Sequence, residues 1–253
     1  MKNILSIPIF AKSLENTLEE IRKYMRHPEG MCHIVSLNPE LMVIAQDDVL
    51  FAKILSESSI QVCDGAGIAL AGSVLGIAPI PRIPGVDFMS HLLKGLEESG
   101  LRVLFVGGKV NVAKEVAECY QKTLPMHHFV GLQGYADIEN PSERESQELF
   151  SIVADHKPQF VFAAFGSPAQ EKWFWAHSTL FKGAVCMGVG GAFDFVTGRI
   201  PRAPRIMRDF GLEWLYRLSI EPHRWRRQLR LIKFIYLVFL QRIGLYSFLM
   251  KNS

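Results

Sequence analysis

Several residue patterns are scarce or missing in this chain of 253 residues, and each shortage excludes a class of protein. The four cysteines, at positions 32, 63, 119 and 186, form no C-x-x-C pair, which argues against a zinc knuckle or a disulfide framework and suits a reducing compartment. The apolar run Phe234–Leu240 has seven residues, whereas a membrane span needs about 20. The N-terminus has no small-residue cleavage site, so we expect mature sequence that faces the cytosol.

The signatures of several common enzyme classes are also missing. No G-x-G-x-x-G follows the first apolar segment, and there is no Walker loop or G-x-S-x-G elbow, so a dinucleotide oxidoreductase, a P-loop NTPase and a serine hydrolase are disfavoured. The eight histidines show no metal-ligand spacing, and the D-x-D clamp of many nucleotide-sugar transferases is absent. We therefore predict that the protein uses no metal and no cofactor.

The sequence does contain short apolar segments that alternate with amphipathic helical patterns. Such helical patterns lie at Val86–Glu98, Val112–Leu124 and Glu143–His156. This alternation is typical of a parallel sheet covered on both faces. We predict an α/β, Rossmann-like fold with a mostly parallel sheet between helices. The predicted strands are Cys32–Leu37, Ile60–Cys63, Val103–Val106, His128–Leu132, Phe160–Phe165 and Val185–Val189.

Residues that follow the strands form the candidate site, because ligands of such sheets bind beyond the carboxyl ends of the strands. Glycines at these points, such as Gly108, leave backbone N–H groups free at helix starts, and such groups bind a diphosphate well. A nucleotide-sugar therefore fits this inventory. The polar candidates at the strand ends are Ser36, Asn38, Asp64, Tyr135, Gln170 and Asp194.

Asp64 is the first candidate for catalysis, since it follows a buried strand and precedes Gly-Ala-Gly. A carboxylate in such a crevice can act as a general base on a hydroxyl nucleophile. The alternative is that Asp64 caps a helix that begins near Ala66. Similar alternatives exist for the other candidates: Ser36 and Asn38 orient a sugar or belong to the turn before Pro39, and Gln170 contacts substrate or only begins a helix.

The C-terminal part is basic and apolar at once. Residues 198–251 contain twelve Lys or Arg against three acidic residues, so we divide the chain into a catalytic core, 1–196, and a C-terminal appendage, 197–253. On a helix, Arg226, Arg230 and Lys233 lie on one side, as in helices that bind anionic membranes. The alternatives are a core helix with a solvated edge, or a contact in a homo-oligomer. Nucleic acid is disfavoured by the high apolar content.

Taken together, these motifs resemble the WecG/TagA/CpsF family of bacterial glycosyltransferases over essentially the whole chain. The matching segments are V-S-L-N-P-E (35–40), V-C-D-G-A-G (62–67), R-I-P-G-V-D (82–87), F-V-G-G-K (105–109), F-G-S-P-A-Q-E-K-W (165–173), G-V-G-G-A-F-D-F-V-T-G (188–198), R-A-P (202–204), G-L-E-W-L-Y-R-L (211–218) and E-P-H-R-W-R-R-Q (221–228).

The resemblance implies a metal-independent, inverting transferase at the cytoplasmic face of the bacterial membrane. It would move a sugar, with N-acetylmannosamine as the first expectation, from a UDP-donor to undecaprenyl diphosphate carrying N-acetylglucosamine, in teichoic acid or other surface polysaccharide synthesis. The alternatives are glucose or N-acetylmannosaminuronic acid as the donor sugar, or a non-catalytic membrane scaffold.

The resemblance also assigns roles to residues. Asp64 is the expected base, and Ser36, Asn38 and Gln170 are expected to contact sugar or acceptor. The family more often has Thr than Ser at position 36, and the hydroxyl is retained. Arg82, Arg217, Arg224 and Arg227 are expected to bind diphosphate groups.

Overall fold

The computed structural model describes residues 2–77, 79–95 and 100–246. Within these ranges the chain alternates strands and helices, as the sequence predicts. The strands are β1 (Asn3–Ile4), β2 (Ile7–Pro8), β3 (Cys32–Leu37), β4 (Ile60–Cys63), β5 (Arg102–Gly107), β6 (His128–Leu132), β7 (Phe160–Ala164) and β8 (Val185–Gly188).

The helices of the described residues cover both faces of the sheet formed by β3–β8. They are α1 (Leu14–Arg26), α2 (Pro39–Asp47), α3 (Val49–Glu57), α4 (Ala66–Val74), α5 (Gly85–Gly95), α6 (Val112–Thr123), α7 (Glu143–His156), α8 (Ala169–Ala176), α9 (Ala192–Val196), α10 (Arg205–Asp209), α11 (Glu213–Ile220) and α12 (Trp225–Arg242), with a 3₁₀ turn at Pro222–Arg224. The predicted end of α5, at Glu98, lies outside the described residues.

The central sheet has six parallel strands in the order β4-β3-β8-β7-β5-β6, and β1 and β2 form a separate antiparallel pair. The six predicted strands are confirmed, three of them with the predicted bounds and three within one residue at either end. Because all six strands are parallel, their carboxyl ends meet at one edge of the sheet. The residues that follow β3, β4, β5, β7 and β8 therefore converge.

Local sequence signals explain where several helices begin. Asn38 follows β3 and caps α2, where its Oδ1 accepts a hydrogen bond from the Leu41 N–H at 3.1 Å and Pro39 occupies the first turn. Ser142 and Glu145 form a capping box at the start of α7. These caps fix the point at which each chain segment turns away from the sheet.

The two faces of the sheet bury different hydrophobic clusters. On β3, Ile34 packs into a cluster with residues of α5 and α6, whereas Val35 and Leu37 pack into a cluster with residues of α2 and α12. Successive residues of a strand point to opposite faces, so alternate positions of β3 supply both clusters. A third cluster lies around Trp173 and Phe174 of α8.

One face of α12 belongs to the core. Phe234, Leu237, Val238 and Leu240 are buried in the cluster that contains Leu37 and α2. Gln241 also joins α12 to the N-terminal pair, because its Oε1 accepts from the Leu5 N–H at 2.8 Å and its Nε2 donates to the Asn3 carbonyl at 2.9 Å. The division at residues 196 and 197 stays a prediction, but removal of the appendage would expose this cluster.

No α-helix in the ranges that the structure describes combines the length and the hydrophobicity needed to cross a bilayer. The opposite face of α12 is nevertheless apolar and exposed. We define the exposed apolar stripe as Trp225, Leu229, Ile232, Tyr236 and Phe239, whose spacing of three or four residues places them on one side of the helix.

His33 lies buried on β3, and its pKa gives a test of the fold. Neither ring nitrogen has a hydrogen-bond partner among the described residues, and the ring packs 5.6 Å from the ring of Phe174. Burial lowers the pKa of His33 to about 4, below its usual 6.5. The imidazole is therefore neutral in the folded protein but protonates below pH 6.5 in the unfolded chain, so stability is lost as pH falls from 6.5 towards 4.

We expect the free energy of unfolding to fall by on the order of 2 kcal/mol more in the wild type than in His33→Leu between about pH 7 and about pH 5. Urea midpoints at the two pH values measure this difference. An equal fall in both proteins would show that folding does not lower the pKa of His33.

Candidate active site

A cavity of about 1020 Å³ opens at the carboxyl edge of the sheet, between the strand ends and the C-terminal segment. Ten of the eleven residues predicted for the site contribute to its walls. They are Ser36, Asn38, Asp64, Arg82, Gly108, Gln170, Asp194, Arg217, Arg224 and Arg227. The eleventh, Tyr135, lies outside this lining: it is buried in the third cluster, where Trp173 Nε1 donates to its hydroxyl at 3.4 Å.

Asp64 follows β4 but does not cap the next helix. The N-cap of α4 is Gly65, with φ of 80°, and no side chain caps this helix. A positive φ favours glycine, which explains why the chain has glycine here. The carboxyl group of Asp64 is thus left for the cavity, to which it is partly exposed, and for a hydrogen bond from the Gly85 backbone N–H.

The pKa of Asp64 is raised to about 6, from its usual 3.8. Burial is the main cause, and the negative charges of Glu213 and Asp87 raise it further, while the Gly85 N–H and the Arg82 charge lower it. A base with a pKa close to the working pH can accept a proton and still drive its transfer. Asp64 therefore has the environment of a general base.

Ser36 lies beside Asp64, and its hydroxyl group is free to bind a ligand. A Cβ added to Gly85 would lie 3.1 Å from Ser36 Oγ and 3.6 Å from Asp64 Oδ2, so both side chains approach the same point. Ser36 Oγ is buried and has no hydrogen-bond partner among the described residues. Since buried hydroxyl groups are normally hydrogen-bonded, Ser36 is ready to bind a ligand. Asn38 also lines the cavity, although its Oδ1 caps α2.

Gln170 joins two of the loops that line the cavity. Its Oε1 accepts from the N–H groups of Gly166 and Gly190, both at 3.2 Å, and its Nε2 donates to Ser167 Oγ at 3.1 Å and to Glu171 Oε1 at 2.8 Å. These four bonds use the whole amide. Gln170 thus fixes the loop after β7 against the loop after β8, and its predicted contact with substrate stays a prediction.

The arginines of the C-terminal segment form a cluster at the cavity wall. Arg217 Nε and Arg224 Nε each lie 2.7 Å from Glu221 Oε2, and Arg217 Nη2 lies 3.8 Å from Asp194 Oδ2. The Arg217 guanidinium also stacks 4.8 Å from the ring of Phe195. A Cβ on residue 191 would collide with this guanidinium, so Gly191 permits its close approach to the loop after β8.

The positive charges of the arginine cluster repel one another. Burial lowers the pKa of Arg224, and the positive charges of Arg217 and Arg227 lower it further, against the opposing effect of Glu221. Repulsion between neighbouring guanidinium groups would be relieved by a bound anion. The electrostatics of this wall therefore favour a bound anion.

Comparison with known proteins identifies the family. The model of the glycosyl transferase WecG/TagA/CpsF family matches residues 2–247. The chain belongs to this family. Among its curated relatives are two proteins named N-acetylglucosaminyldiphosphoundecaprenol N-acetyl-beta-D-mannosaminyltransferase: one of Bacillus spizizenii, 32% identical over 89% of this chain and 83% of the relative, and one of Staphylococcus aureus strain MRSA252, 30% identical over 89% and 87%. The resemblance inferred from the motifs is thus confirmed.

Two features of this family member were not predicted from sequence. Glu171 lines the cavity and is almost fully buried, and burial raises its pKa; its Oε1 accepts from Ser167 Oγ at 2.9 Å. Arg202 lies between Asp87 Oδ1, at 2.9 Å, and Glu213 Oε1, at 2.6 Å, and so ties α5 to α11. Both lie within or beside the motifs that carry the resemblance, but the motifs do not say what they touch.

Arg82 connects the core to the C-terminal segment as well. Its Nη2 donates to the Arg208 carbonyl at 2.8 Å and its Nη1 to the Asp209 carbonyl at 3.4 Å, at the C-terminal end of α10. Its predicted contact with diphosphate stays a prediction. Across the described ranges, no three His, Cys, Asp or Glu side chains are grouped so that they could hold a metal ion.

The raised pKa of Asp64 predicts the pH dependence of turnover. As a base, Asp64 must be ionised, so kcat/KM should decline below about pH 6, by about tenfold per pH unit. Glu213→Gln removes a charge that raises this pKa and should shift the acid limb to lower pH. Glu139→Gln, in an exposed loop, is the matched control and should leave the limb in place. An acid limb that does not move in Glu213→Gln would contradict this electrostatic account.

Proposed function

We propose that the protein transfers N-acetylmannosamine from a UDP-donor to N-acetylglucosaminyl diphosphoundecaprenol, with inversion and without a metal ion. The observation that carries the proposal is the arrangement of one cavity: a carboxylate with a pKa of about 6 at the end of β4 and an arginine cluster both line it. The names of the relatives supply the sugar and the acceptor.

The proposed reaction is a single displacement. Asp64 accepts the proton of an acceptor hydroxyl while that oxygen forms a bond to the anomeric carbon of the donor sugar, and the bond from this carbon to the UDP oxygen breaks. The electron pair of that bond leaves with UDP, so negative charge develops on the diphosphate. Arg217 and Arg224, together with the N–H groups at the start of α4, would stabilise it.

One attack from the face opposite the leaving group inverts the anomeric centre, and an α-linked donor thus gives a β-linked product. Ser36 would hydrogen-bond the sugar or the acceptor through its free hydroxyl. Gln170 would act mainly by holding the two loops around the reacting groups.

The decisive experiment is an assay of the purified protein with each candidate donor. Asp64→Asn should lower turnover by about 10²–10⁴-fold, the usual loss for a general base, while binding of the UDP-sugar is largely retained because the base acts on the acceptor. Asp155→Asn, an exposed change of the same kind on α7, should behave as the wild type.

Product formation with UDP-N-acetylmannosamine, followed by mass spectrometry of the disaccharide lipid, is the measurement. Turnover with UDP-glucose or UDP-N-acetylmannosaminuronic acid instead would reassign the sugar and keep the reaction. Wild-type turnover in Asp64→Asn would eliminate Asp64 as the base. Absence of turnover with every donor would favour the alternative of a non-catalytic membrane scaffold.

We also propose that the protein associates peripherally with the cytoplasmic face of the membrane, through the exposed apolar stripe of α12. Its residues are about half exposed or more, and contiguous exposed apolar surface marks an interaction site. Of the predicted basic face, Arg230 and Lys233 would contribute less to membrane binding, because they lie in ion pairs with Glu40 and Asp47 of α2. Hydrophobic insertion, more than charge, would hold the protein on the bilayer.

The double variant Leu229→Ser/Ile232→Ser should reduce co-sedimentation with vesicles that contain anionic lipid by about tenfold or more, since two large apolar groups no longer insert. Val49→Ser/Val110→Ser changes two exposed apolar residues outside α12 and serves as the control. Loss of binding in both variants, or in neither, would contradict the assignment of this stripe.

A further inference from the structure

The cavity that contains Asp64 continues into a groove with apolar walls. Leu70 and Val74 lie one turn apart on α4, and Leu231, Ile235 and Val238 follow at helical spacing on α12; all five line the cavity. The two helices are in contact with each other. We call these five residues the apolar groove.

Much of this groove is open. The exposed fraction is 65% for Leu70 and 59% for Ile235, whereas Val238 forms a buried floor. Large apolar side chains on both walls of an open cleft are a feature of sites that bind an apolar ligand.

The groove continues directly from the arginine cluster. Arg227 precedes Leu231 by one turn of α12, so the basic residue and the apolar wall lie on one side of the same helix. Asp64, the arginine cluster and the apolar groove thus line a single cavity, with the arginines joined to the groove by α12. A lipid diphosphate sugar carries the matching groups in one chain: a hydroxyl to be deprotonated, two phosphates and an isoprenoid.

The groove also meets the surface at a suitable place. Phe239 lines the cavity and at the same time belongs to the exposed apolar stripe. A chain that follows the groove past Phe239 would leave the protein on the face that we propose to contact the bilayer.

We propose that the apolar groove binds the isoprene units nearest the diphosphate of the acceptor lipid, so that the protein itself, and not only the membrane, recognises the isoprenoid. This inference rests on the proposed function. It predicts that the enzyme distinguishes acceptors by the length of their lipid in the absence of any bilayer.

The test uses water-soluble N-acetylglucosaminyl diphosphates of dimethylallyl, geranyl, farnesyl and geranylgeranyl alcohol, assayed below micelle-forming concentrations without vesicles. For the wild type we expect KM to fall about tenfold with each added isoprene unit until the groove is filled, because each methylene removed from water improves binding about fourfold and enclosure is partial. In Val74→Ser/Ile235→Ser the decrease should be about twofold per unit.

The matched control is Leu229→Ser/Ile232→Ser, which changes two exposed residues of α12 that do not line the cavity. It should keep the wild-type dependence of KM on lipid length while losing vesicle binding. A KM that does not depend on lipid length, or a dependence that is equal in wild type and Val74→Ser/Ile235→Ser, would overturn the groove. If the dependence on lipid length were lost only in the control, the isoprenoid would bind the exposed apolar stripe, and the proposal of the apolar groove would be overturned as well.

Failure of the proposed function has a different outcome. It would give no product with any of the four acceptors, whereas failure of the groove leaves product formation intact and removes only the effect of lipid length.

Discussion

Phe234, Leu237 and Val238 of α12 are buried against α2 and β3, and the position of the site depends on this packing. A helix fixed by one face has its other faces fixed too, at 100° per residue. Burial of Phe234 and its neighbours therefore directs Arg227 and Leu231 towards the strand ends and leaves Trp225, Leu229 and Ile232 exposed. This one hydrophobic contact therefore determines the orientation of Arg227, of the apolar groove and of the exposed apolar stripe.

Charge in the site is balanced by pairs that cross between the core and the C-terminal segment. Asp194 and Glu40 of the core lie against Arg217 and Arg227, and Arg202 lies between Asp87 and Glu213. Buried charges need such partners, since desolvation alone would be costly. The same pairs place Glu213 and Asp87 close enough to Asp64 to raise its pKa, so the contacts that hold the segment in place also tune the proposed base.

The sequence was most informative where a local rule applies. Strands such as Cys32–Leu37 were predicted because continuous apolar runs followed by turn residues have few other structures available, and Asp64 was singled out because it follows such a strand. Local rules were less informative for single side chains. Tyr135 follows β6 as predicted but turns into the cluster around Trp173, and Gln170 uses its amide between two loops. The alternative of Asp64 as a helix cap was also decided only by the conformation of Gly65.

By itself, then, the sequence determined the α/β class, the edge of the sheet where the candidate site lies and the family to which the chain belongs, because these follow from hydrophobic pattern and from motifs of neighbouring residues. Only the tertiary structure decided which charges meet. Arg230 and Lys233 form a basic stripe in the sequence, yet they pair with Glu40 and Asp47, which lie nearly two hundred residues earlier in the chain. The apolar groove likewise combines α4 with α12. Such contacts depend on how distant helices pack on one sheet, and no local pattern contains that information.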